Sequence, residues 1–125
     1  MADDPIPADL RDFILRYIDS VAHLEALLLL RANPETAWEA AAVAARLYSS
    51  AEQAREVLAQ LCDEHLLVCE DGIYRYAGQP PEHLAMIDRL AESYAKQLIP
   101  ITNLIHGKPR RIRQFADAFK FRKDR

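Results

Sequence analysis

Residues 38–76, WEAAAVAARLYSSAEQAREVLAQLCDEHLLVCEDGIYRY, decide the fold. They read in order as a helix, a tight turn, a second helix and a short β-hairpin. The first helix, from about 37 to 47, is rich in alanine (Ala40, Ala41, Ala42, Ala44, Ala45), which favours helix and lets a neighbour approach closely. Val43 and Leu47 mark its inward face, and Trp38 is expected to anchor it in the core. Tyr48-Ser49-Ser50 forms the turn. Both Ser49-x-x-Glu52 and Ser50-x-x-Gln53 fit the capping box, in which serine and an acid or amide three residues on satisfy the orphan amides of a helix start. The following helix, roughly 51–64, turns Ala54, Val57, Leu58 and Leu61 inward and Glu52, Gln53, Arg55, Glu56, Ala59 and Gln60 outward. Residues 66–70 and 73–77 are β-rich, and the Asp71-Gly72 between them suits a type I′ turn, whose two central residues need positive φ.

Outward from this unit, residues 1–8 hold Asp3, Asp4, Pro5 and Pro7 and read as a disordered, solvated lead-in. Asp9 is placed to cap a long helix over 9–32, because Leu10, Phe13, Ile14, Tyr17, Ile18, Val21, Leu24 and Leu28 recur at spacings of three and four. Asn33-Pro34 ends it, since the residue before proline is pushed out of the α region. Downstream, Pro81 suits the first turn of a second long helix over 82–106, in which Leu84, Ile87, Leu90 or Ala91, Tyr94 and Leu98 form an apolar stripe. Pro100 is expected to kink or end that helix. One domain over 9–107 and a basic aromatic tail over 108–125 complete the division.

The net charge of −3 conceals an asymmetry. Residues 1–106 carry eight Lys+Arg and seventeen Asp+Glu, a balance of −9; residues 107–125 carry eight against two, a balance of +6. Such a tail suits a polyanion, an acidic partner, or the acidic body of its own chain. The start, MADDPIPADL, has no secretory pattern, and the longest aliphatic run, 26–30, is far below the ~20 residues of a spanning helix. Two cysteines, Cys62 and Cys69, imply no disulfide framework, which favours a cytoplasmic, bacterial-type protein.

The segments LEALLLLRANPETAW (24–38), AAAVAARLY (40–48), SSAEQAREVLAQLCDEHLLV (49–68) and CEDGIYRYA (69–77) together resemble the winged helix-turn-helix superfamily, in the style of small MarR-like bacterial regulators. The resemblance covers about half the chain. It implies a mostly α fold, a three-helix core plus two-stranded wing, with long N- and C-terminal helices that build a homodimer, and a role in transcription regulation. Two departures stand out. His65 occupies the helix C-cap where the family commonly has glycine, and the second helix of the pair is acidic, with Arg55 against Glu52, Glu56, Asp63 and Glu64.

For double-stranded DNA the candidate contacts are Ser49 and Ser50 to phosphate, Gln53 and Arg55 toward base edges, Gln60 as a further amide on the same helix, and Tyr74 with Arg75 on the hairpin. The competing expectation is a protein-interaction module using the acidic face or the tail. In the tail, Lys108, Arg110, Arg111, Arg113, Lys120, Arg122 and Lys123 alternate with Phe115, Phe119 and Phe121. That composition suits nucleic acid, an anionic membrane surface or a partner's groove. No catalytic residue, metal site or cofactor is expected: Cys62, His65 and Cys69 lack a fourth ligand and read as buried thiols with a cap, and no phosphate-cradling glycine loop is present.

Overall fold

The computed structural model describes residues 6–78 and 80–107. Its elements are α1 (Ala8–Tyr17), α2 (Val21–Ala32), α3 (Ala40–Leu47), α4 (Ala51–Asp63), β1 (Leu67–Glu70), β2 (Ile73–Tyr76), α5 (Pro81–Lys96) and a last helix, α6, over 98–107. Over the described residues the protein is therefore mostly helical with one small antiparallel sheet. The expected tail, 108–125, lies outside the described residues.

The long first helix of the sequence reading is two helices. Ile18 leaves the helix with φ −109° and ψ 107°, and Ser20, fully extended, caps α2 by accepting from the His23 N–H at 3.2 Å. Serine competes for backbone amides and so favours caps over helix interiors. Asp9 is also not the cap of α1. Pro7 holds that position, and Asp9 sits in the first turn facing Arg89.

Tertiary contact overrides propensity at Trp38 as well. Its N–H donates to the Tyr74 carbonyl at 2.9 Å and its carbonyl accepts from the Tyr74 N–H at 2.8 Å, so Trp38 forms an antiparallel bridge to β2. Helix α3 consequently begins at Ala40 rather than 37. Tyr48 ends it in the left-handed region, φ 56°, and α4 starts at the Ser50 cap.

Helix α4 closes as a Schellman motif. His65 has φ 65°, its N–H reaches the Cys62 carbonyl at 2.9 Å, and the Leu66 N–H reaches Leu61 at 3.0 Å. The hairpin follows at once, with Asp71 and Gly72 both at positive φ (53° and 77°) and Glu70 opposite Ile73. Its strands are the expected ones, each one residue shorter.

Helix α2 lies at the centre, packed on α3, α4 and β2, with Leu24, Ala26, Leu27 and Leu30 buried. Each such leucine contributes roughly 1.5–3 kcal/mol of burial. The stripe of α1 (Leu10, Phe13, Ile14) is also buried within the chain, and α1 packs against α5. Helix α5 is tied back at three points: a two-pronged Arg89–Asp9 pair at 2.8 and 3.0 Å, Arg31 Nε to Asp88 at 2.8 Å, and the Tyr94 hydroxyl donating to Glu25 at 3.2 Å. The second long helix breaks at Gln97, φ −131°, one residue after the carbonyl of Lys96 that the Pro100 ring would strike in a continuous helix.

Candidate functional site

The surface singled out by the sequence is the outer side of α4, its starting turn and the hairpin. Ser50 is committed to structure: its Oγ accepts from the Gln53 N–H at 3.0 Å. Ser49, half-buried, turns its hydroxyl to the Ser50 carbonyl at 3.3 Å, so the second of the two possible capping frames is the one used. Gln53 and Arg55 are exposed, and no ion pair of Arg55 is found among the described residues.

Two candidates for DNA contact are spent elsewhere. Tyr74 is 7% exposed. Strand alternation turns it to the side opposite Arg75, and burial pushes its hydroxyl pKa up. Gln60 is exposed, but its side-chain carbonyl pairs with Nε2 of His23, the one buried polar residue of the described chain. The other ring nitrogen of His23 meets Ser20 Oγ at 2.7 Å. A chain Ser20–His23–Gln60 thus joins the α2 cap to the outer face of α4.

What α4 leaves to solvent is Glu52, Gln53, Arg55, Glu56, Ala59, Gln60 and Asp63. Glu64, at its end, faces Arg16 at 3.5 Å. The free face therefore carries one cation and three carboxylates. Arg75 shares the outer side of the hairpin with Val68, Glu70, Asp71 and Ile73, around a shallow groove of about 250 Å³. Both Lys/Arg side chains of this surface are thus flanked by acids.

Sequence reasoning missed Tyr48. It is 97% exposed and held in a left-handed conformation at the turn before α4, where a large aromatic has no structural reason to stand in water. A bulky residue in the Tyr48-Ser49-Ser50 turn was the available signal. It also missed the neighbouring thiols: Cys69 is exposed, not buried, and Cys62 is half-buried beside it. Among the described residues no group of three or more His, Cys, Asp or Glu converges as a metal site, and no helix is long and apolar enough to cross a membrane. The tail candidates Lys108, Arg110, Arg111, Arg113, Lys120, Arg122 and Lys123 lie outside the described residues. No protein-family model, curated protein or solved structure matches the chain.

Proposed function

We propose that the chain is a winged helix-turn-helix domain that serves as a protein-interaction module, with α4, the Tyr48 turn and the hairpin as its working face. The fold part of this reading is supported by the order helix, helix, bridge, helix, helix, hairpin, and above all by the Trp38–Tyr74 bridge that ties the hairpin to the segment before α3. The functional part rests on one observation. The solvent face of α4 offers Arg55 against Glu52, Glu56 and Asp63.

DNA affinity comes largely from cations that neutralise phosphates and release their counterions. A face with more carboxylates than cations repels a duplex, and the same face attracts a basic protein segment. Exposed Tyr48 and Val68 add apolar contact of the kind protein interfaces use, with tyrosine especially enriched there. A second reading, a DNA-binding regulator acting as a homodimer, is favoured by the +6 tail, whose charge can offset the acidic helix. Of the two long helices expected to build the dimer, the first has its α1 stripe buried within the chain, and the second leaves Leu98 and Ile99 of α6, 51% and 66% exposed, as an apolar pair for a second copy.

The test is a titration of the full-length protein with a fluorescent amphipathic peptide rich in arginine and phenylalanine. Affinity that weakens with salt and is lost in the Glu52→Gln/Glu56→Gln/Asp63→Asn variant is the expected outcome. Equal affinity in the variant removes the α4 face from the account.

A further inference from the structure

Cys62 lies in the last turn of α4 and Cys69 in β1. The Schellman turn through His65 reverses the chain between them, and buried Leu66 and Leu67 press the start of the strand onto α4. Strand parity then puts Cys69 on the same side as Leu67, directly opposite Tyr74, whose ring is buried on that side. The outcome is two free thiols on the same side of the α4–β1 junction, one exposed and one half-buried, near enough for each to bear on the other's ionisation. Nothing in the fold requires cysteine at either position. Cys69 in particular stands at a solvent-exposed strand site, where a thiol contributes little packing.

The geometry points to Cys62 and Cys69 as an oxidisable dithiol, a modification site at which a peroxide draws two electrons from the pair and leaves a disulfide stapling the end of α4 to β1. Two thiols on facing sides of packed elements, the end of α4 and β1, are the starting arrangement from which an S–S bond of ~2.05 Å forms. Exposed Cys69 meets the oxidant. Its sulfur attacks one peroxide oxygen, the O–O bond breaks, water leaves and Cys69 becomes a sulfenic acid. The Cys62 sulfur then attacks the Cys69 sulfur and the S–O bond breaks. The departing hydroxide takes the Cys62 proton and leaves as a second water. Two thiols are oxidised to one disulfide, and one peroxide is reduced to two waters.

The roles of the two thiols differ for a physical reason. Burial, reinforced by neighbouring Cys69, pushes the Cys62 thiol up to about 12, which makes it the slower thiol toward oxidant; exposed Cys69 reacts first and half-buried Cys62 second. The staple joins the helix that carries the acidic face to the hairpin beside it, and its formation does not depend on what that face binds.

The experiment treats reduced full-length protein with hydrogen peroxide and follows intact mass, thiol alkylation and peptide mapping. The expected product has lost two hydrogens and resists alkylation. It yields one cross-linked peptide joining Cys62 to Cys69, and dithiothreitol restores the starting mass. In Cys62→Ser the Cys69 sulfenic acid persists and is trapped by dimedone, whereas in Cys69→Ser the remaining thiol reacts more slowly. Wild-type protein that keeps both thiols alkylatable, gains oxygen without cross-linking, or cross-links only between molecules overturns the proposal. The wild-type result decides even if a variant folds poorly.

Discussion

Replacing Gln60 by alanine is a sharp test of the packing around α4, because its outcome runs against what exposure and propensity suggest. Gln60 is solvent-exposed on a helix, and alanine there gains a few tenths of a kcal/mol, about 0.4, in helix propensity. Exposed substitutions away from special features fall within about ±0.5 kcal/mol. Gln60, however, presents its carbonyl to Nε2 of His23, which is only 7% exposed. Removing the acceptor leaves a buried N–H unpaired, a cost of roughly 1–3 kcal/mol. The net expectation is a loss of about 1–2 kcal/mol, or roughly 4–8 °C in Tm for a domain near this size.

Urea unfolding of the wild type, Gln60→Ala, His23→Leu and the double variant measures it, with an unchanged m-value as the sign that stability alone moved. In the His23→Leu background the Gln60→Ala cost should vanish, giving a coupling of about 1–2 kcal/mol. A Gln60→Ala protein as stable as wild type, or coupling within error of zero, refutes the Ser20–His23–Gln60 chain. The same result would return Gln60 to the pool of free contact residues on α4.

Two further outcomes follow from local geometry. His65 at φ 65° carries the left-handed penalty of ~1–2 kcal/mol, which glycine escapes while giving back ~0.4–1 kcal/mol in unfolded-state entropy. Denaturation midpoints should therefore rank His65→Gly above wild type and wild type above His65→Val, and the reverse order would mean that α4 does not close through a left-handed cap. Asp9 has its carboxyl pKa held below its ordinary 3.8 by the hydrogen bonds from Arg89. A depressed carboxylate contributes stability that is full above the unfolded value and is lost as pH falls through the folded one. Acid titration of stability should thus show a loss beginning near the unfolded value of 3.8 and running below it, and Asp9→Asn should flatten that limb while lowering stability at neutral pH. Parallel acid limbs in the two proteins would show that the α1–α5 pair is not formed.

Features governed by neighbours in sequence were legible. Asp71-Gly72 dictates its turn because both positions must take positive φ, Ser50 caps α4 because its hydroxyl lies three residues before a free amide, and His65 tolerates the left-handed cap. The split between α1 and α2 was hidden because Tyr17, Ile18, Val21 and Leu24 keep the spacing of a continuous helix across the break. Asp19-Ser20 was the faint signal. Trp38 looked helical because its bridge partner lies in β2, beyond α4 in the chain. Tyr74 and Gln60 likewise looked free until residues distant in sequence claimed them. The acidity of α4 was legible throughout, and the structure adds that no other cation among the described residues lies on that face to reverse it.

That acidity is tested most directly by the fluorescence anisotropy of a labelled DNA duplex titrated with full-length protein, from low to physiological salt. No saturable binding that depends on the α4 face is expected: any residual association at low salt should fall steeply with salt and be unchanged in Arg55→Ala and Arg75→Ala. Tight duplex binding at physiological salt that drops in either arginine variant would contradict it and make the chain a DNA reader.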